Sequence, residues 1–134
     1  MSVTLPGDQN FENRPSIEAK ALKINLNHHI YGTFAEIGAG QEVARHFFRV
    51  GGASGTIAKT ISAYDKNFSD TIYGEEEDGR YVTETRLKKM LDHEMKLLED
   101  RIPKKNHPNK MFFTYANTVT TIDFAKKFKG HGWM

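Results

Sequence analysis

The 134-residue chain contains no cysteine, which excludes disulfides, thiolate metal sites and thiol nucleophiles and fits a reducing compartment. It also lacks an excess of either charge. Nineteen Lys and Arg stand against 17 Asp and Glu, a formal net charge of +2. The basic residues are scattered apart from Lys104-Lys105, Lys110 and Lys126-Lys127-Lys129, so the surface carries no nucleic-acid footprint. No apolar run approaches the roughly 20 residues of a membrane-spanning helix. Met1 to Arg14 has no basic-then-apolar leader pattern. These absences leave a cytoplasmic protein that does not enter a membrane as the expectation.

What remains is enough for one ordinary domain. Apolar residues make up 38% of the chain and charged residues 27%, a balance that buries one core beneath a solvated surface. Met1 to Pro15 is polar and broken by Pro6, Gly7 and Pro15, the pattern of a flexible arm. Residues 16–134 form the expected single α/β domain.

Leu22, Ile24 and Leu26 alternate as in a half-buried strand, and Ile30 to Ile37 is a short apolar run that predicts a buried one. Gln41 to Val50 carries Val43, Ala44, Phe47, Phe48 and Val50 at helical spacing. Thr56 to Tyr64 reads as either a short strand or another helix. The strongest signal runs from Thr83 to Ile102, where Leu87, Met90, Leu91, Met95, Leu98 and Ile102 recur every three or four residues. Glu, Lys and Arg fill the other faces, Thr83 caps the start, and Pro103 with Pro108 ends the helix. Leu87, Leu91 and Leu98 are expected to pack on a sheet. Met111 to Phe124 is rich in threonine and aromatics, which predicts one long strand or a hairpin pivoting near Asn117. Lys129 to Met134 offers no further element to cover that strand. The expected architecture is α/β or α+β, a single sheet with one long amphipathic helix and one shorter helix packed on it.

Two glycine-rich turns draw attention as candidate sites: Gly38-Ala39-Gly40 after the second strand, and Gly51-Gly52-Ala53-Ser54-Gly55 before Thr56. Glycine lets backbone approach a ligand and aim several N–H groups at an anion, and a helix N-terminus reinforces the attraction. Gly38, Gly40, Gly52, Ser54, Gly55 and Thr56 are therefore candidates for holding a nucleotide or other phosphate-bearing ligand, with Glu36 or Asp65 taking ribose hydroxyls. Glu36, Asp65 and His46 are the nearest acid-base groups. Asp65 to Glu76 has oxygen side chains at the first, third, fifth and twelfth places of a calcium loop. Its sixth place is Asp70 where a glycine is needed, so a solvated acidic loop is expected there. Histidines 28, 29, 46, 93, 107 and 131 show no metal-ligand spacing. The sequence leaves any cofactor unknown, and the alternative to ligand binding is a structural or assembly module that pairs through its exposed C-terminal strand.

Three resemblances follow from these motifs. Glu36-Ile37-Gly38-Ala39-Gly40 resembles the first motif of S-adenosylmethionine-dependent methyltransferases, with Glu42 in place of the third glycine. Gly32-Thr33-Phe34 with Gly40 resembles the nucleotidyltransferase signature, but Ala35, Gly38 and Gln41 replace its Asp and two His, the groups that would stabilise charge on a transferring phosphate. Over nearly the whole chain, Tyr31 to Arg45, Gly51 to Thr56, Met90 to Glu94 and Gly130 to Trp133 resemble the N-terminal part of an uncharacterised bacterial protein family. Members carry labels such as TonB-dependent receptor or nicotinate-nucleotide adenylyltransferase. The residues support neither: there is no leader or many-stranded barrel pattern, and the adenylyltransferase histidines are missing. The resemblance implies that the chain is the N-terminal part of a longer protein.

Overall fold

The computed structural model describes residues 14–121, 125 and 129–134. Four helices and four strands are found among them: α1 (Ile17–Asn25), β1 (Ile30–Gly38), α2 (Val43–Phe48), β2 (Ile57–Ala63), α3 (Lys66–Tyr73), α4 (Glu84–Arg101), β3 (Met111–Thr120) and β4 (His131–Trp133). The strands form one sheet in the order β2-β1-β3-β4. β1 is parallel to both β2 and β3, while β4 runs antiparallel to β3 over Thr118 to Thr120. The fold is α/β, with the long helix α4 on one face of the sheet.

The two faces of β1 have separate partners. Ala35 and Ile37 point into a core with Ala63, Tyr73, Leu87, Met90 and Ala116, and α4 supplies its centre through Met90, which is fully buried. Phe34 turns the other way and meets Phe47 of α2 at 5.0 Å and Phe113 at 5.5 Å between ring centres. Thr83 starts α4 by accepting the Arg86 N–H at 3.0 Å, and Pro103 follows its end. Leu87 and Leu98 are buried, whereas Leu91 is half-buried at the core margin.

Three expectations need correction. Leu22 to Leu26 do not form a strand: apart from Leu26, they belong to α1, whose start is fixed by Ser16 accepting the Ala19 N–H at 3.1 Å. Ala21 and Asn25, four residues apart, are its buried face, so the alternating leucines lie on the outer surface. Lys66 to Tyr73 is a helix and not an acidic loop, because Ser69 and Tyr73 turn inward together and Gly74, at φ +89°, ends the turn. Of the two expectations for Met111 to Phe124, the single long strand is the one found: β3 runs past Asn117 to Thr120 without a pivot. His131 to Trp133 supplies a short strand, which the sequence did not suggest, over Thr118 to Thr120 of β3. Ile122 to Phe124 and most of the N-terminal arm lie outside the described residues.

Candidate functional site

The parallel strands β2, β1 and β3 end at the same edge of the sheet. From there the chain leaves β1 toward β2 and leaves β3 toward β4, so the loops after these neighbouring strands diverge. Open α/β sheets bind ligands at such a divergence. A cleft of about 190 Å³ opens there, on the α4 face. Gly38 and Ala39 form one side and Thr118 to Thr121 the other. Asp65, Lys66 and Ser69 of the α3 start, with Tyr81, complete it.

Gly38 is required by the geometry of this edge. Its φ is +79°, and a Cβ there would collide with the Val119 carbonyl oxygen of the adjacent strand. Asp65 stands at the cap position of α3 but makes no side-chain hydrogen bond to the helix, and it is exposed. Among the described residues its carboxylate has no ion-pair partner. Lys66 places its ammonium 5.3 Å from the centre of the Tyr81 ring. Tyr81 is itself held on three sides: its hydroxyl donates to Asp70 at 2.9 Å, its carbonyl accepts from Thr118 Oγ1 at 2.9 Å, and the Arg86 guanidinium lies 4.9 Å from its ring centre. The bond to Asp70 raises the pKa of the Tyr81 phenol above its ordinary value.

Glu36 and Gly40 sit on the opposite face. The buried Glu36 carboxylate accepts the backbone N–H groups of Glu42, Val43 and Ala44 at 3.2, 2.9 and 3.3 Å. The start of α2, where the glycine turn offers an anion site, is thus occupied by the chain's own carboxylate. Asn117 secures the arrangement by donating to Glu36 at 3.1 Å and to the Gly40 carbonyl at 3.0 Å.

The second glycine turn lies at the other end of the sheet. Thr56 passes its carbonyl to the Gly32 N–H at 2.8 Å, six residues back along β1 from Gly38, or about 20 Å at strand spacing. Asn25 organises this turn, donating to the carbonyls of Phe47 at 3.0 Å and Gly51 at 3.1 Å. Gly52, at φ +86°, packs on Asn25, and the buried Thr56 hydroxyl donates to the Asn25 carbonyl at 3.3 Å. Ser54 and Gly55 are exposed beside Tyr31, His107 and Lys110. Of the eight candidate residues, the carboxyl-edge cleft therefore brings together Gly38 and Asp65. Glu36 and Gly40 lie behind it, and the other four are at the far edge.

Sequence reading missed the charged residues inside the molecule. Arg86 is fully buried and donates to the Gly74 carbonyl at 2.6 Å, to Ser69 at 2.8 Å, and to Asp70 and Glu76 at 3.4 Å each. Glu94, also buried, accepts the Tyr73 hydroxyl at 2.9 Å and pairs with Lys59 at 2.5 Å. Burial, reinforced by the Glu94 charge and hydrogen bond, pushes the pKa of the Tyr73 phenol upward. The spacing Arg86, Met90, Glu94, Leu98 puts both charges on the apolar stripe of α4, a signal that could have revealed them. Among the described residues, no group of three or more His, Asp or Glu is placed to hold a metal ion, and no helix is long and apolar enough to cross a membrane.

No protein-family profile matches the chain, and no curated protein matches it. Among solved structures, the fold is similar to that of the competence/damage inducible protein CihA from Agrobacterium tumefaciens, with a TM-score of 0.54 and 19% sequence identity. The match covers 91% of this chain and 65% of that one. At this identity the likeness concerns the fold alone.

Proposed function

We propose that the domain binds a nucleotide or another phosphate-bearing small molecule in the carboxyl-edge cleft. The observation that carries this reading is the cleft's position where the loops after β1 and β3 diverge, beside the start of α3. Lys66 and the first amides of α3 would attract the anion. Asp65, free of its own helix, would take the ribose hydroxyls. The volume suits a phosphoryl-ribose or a single ring and is below the usual range of whole-ligand pockets, so the rest of the ligand would extend past Ala39 and Tyr64. Glu36, engaged with α2, supports the turn from behind and does not meet the ligand.

The test is a thermal-shift panel of adenine and guanine nucleotides, S-adenosylmethionine and inorganic phosphate. At least one compound should stabilise the parent chain, and Lys66→Ala and Asp65→Ala, both at exposed positions, should remove the shift while retaining the parent's circular-dichroism spectrum. A panel with no response at millimolar concentration would overturn the reading.

One observation favours the alternative of an assembly module. Among the described residues the outer edge of β3 from Met111 to Asn117 has no strand partner, and this stretch contains no charged residue or proline to protect it. Light scattering after size exclusion separates the readings: self-association abolished by Thr114→Lys supports assembly, and a monomer at high concentration rejects it.

A further inference from the structure

A second cleft, of about 350 Å³, lies toward the amino edge of the sheet on the α4 face. It is separate from the proposed nucleotide site. Its walls are apolar: Leu97, Leu98 and Ile102 come from the end of α4, facing Tyr31 and Ala58 of the strands. Tyr31 is fixed as a wall by His107, stacked at 6.4 Å, and by Phe112 at 6.2 Å.

Two cations line this apolar space. Lys59 and Arg101 both line it, while Lys110, its ammonium 5.9 Å from the Tyr31 ring centre, belongs to the neighbouring hollow beside Ser54 and Gly55. Lys59 is pinned by the buried Glu94, but its side chain remains 37% exposed. An ammonium has three donors, so two are left after the Glu94 contact. Arg101 is exposed and has no acidic partner among the described residues. Its charge offsets the partial negative charge of the helix end it sits on. Lys59 and Glu94 balance one another, so the uncompensated positive charge at the mouth is that of Arg101, over an apolar floor.

We infer that this cleft binds an amphipathic monocarboxylate, with its apolar body between Tyr31 and Leu97 and its carboxylate between Lys59 and Arg101. Size sets the body. A dry apolar cavity of about 150 Å³ holds a benzene ring; this cleft is a little over twice as large and open on one side, which suits a chain of about eight to ten carbons. The remaining Lys59 donors and the Arg101 fork are the donor types that would take the two oxygens of one carboxylate.

Octanoate is the probe, with 1-octanol and acetate as the uncharged and the bodiless controls, followed by methyl NMR on the intact chain. Octanoate should shift the methyl signals of Leu97, Leu98 and Ile102 saturably, acetate should not, and octanol should bind more weakly. Arg101→Ala should weaken octanoate by up to about fivefold, the range of one exposed ion pair, and leave octanol unchanged. Leu97→Glu, which puts a carboxylate on the apolar wall, should remove binding of both. The proposal is overturned if octanoate gives no saturable shift at these methyls, if octanol binds as tightly as octanoate, or if Arg101→Ala leaves octanoate affinity unchanged.

Discussion

Arg86 shows how a single residue ties distant segments together. Its guanidinium joins α3 through Ser69 and Asp70, the following turn through the Gly74 carbonyl and Glu76, and the cleft wall through the Tyr81 ring. Removing one side of a buried charge network leaves the other side unpaired. Arg86→Met should therefore destabilise the domain by about 3–5 kcal/mol, measured by urea unfolding, and Arg86→Lys should recover only part because a point charge cannot reproduce the fork. A loss below about 1 kcal/mol would place the network among dispensable contacts. Tyr73 gives a pH-dependent counterpart. Its folded pKa is raised by burial and by Glu94, so its contribution is complete below the unfolded phenol value of about 10 and is lost as pH rises through the folded value. Stability should fall on the alkaline side, and Tyr73→Phe should make that fall shallower while lowering stability at neutral pH by about 1–3 kcal/mol, because Glu94 loses a donor. An alkaline limb unchanged in Tyr73→Phe would refute this assignment.

At the scale of elements, the glycines divide by what surrounds them. Gly38 combines a positive φ with a clash against Val119, whereas Gly55 has open space around it and ordinary backbone. Gly38→Ala should destabilise the domain and loosen the joint between β1 and β3. Gly55→Ala should be neutral or stabilising by up to about 1 kcal/mol, since it restricts the unfolded chain; equal melting temperatures for the two variants would contradict the difference. In α4, Leu87→Ala should cost about 2–5 kcal/mol and Leu91→Ala less, because Leu91 lies at the core margin. The sequence made α4 and β1 legible because periodicity and caps agree there. It misled over α1, where alternating Leu22, Ile24 and Leu26 mimic a strand although Leu22 is exposed on the helix and Leu26 is exposed at its cap. β4 is three exposed residues paired through backbone alone, so it leaves no side-chain pattern to read. The cleft was legible only in part: Gly38 and Asp65 stand out as a turn and a strand-end acid, but that Glu36 faces the other way follows from strand alternation combined with the sheet order, which one sequence does not reveal.

The whole molecule is organised around β1, paired in parallel on both sides and buried from Gly32 to Ile37. Stability should decline outward from it. Native-state hydrogen exchange should find the slowest amides in β1, exchanging only on global unfolding, with β4 and α1 opening locally at lower cost; β4 amides as slow as those of β1 would show a single cooperative unit instead. The same measurement distinguishes the two clefts, which lie at opposite ends of the sheet and share no lining residue. Sites so far apart should act independently, and each ligand should stabilise the fold according to its own concentration and affinity. A responding nucleotide should slow exchange around the α3 start and the end of β3, while octanoate should do so around the last turns of α4. With both present the gains in stability should add within about 0.5 kcal/mol. Lys66→Ala should remove the nucleotide effect and preserve the octanoate effect, and Arg101→Ala should weaken octanoate alone. If Lys66→Ala also diminished the octanoate response, the two edges would be coupled through β1 and the sheet could not be treated as a rigid spacer.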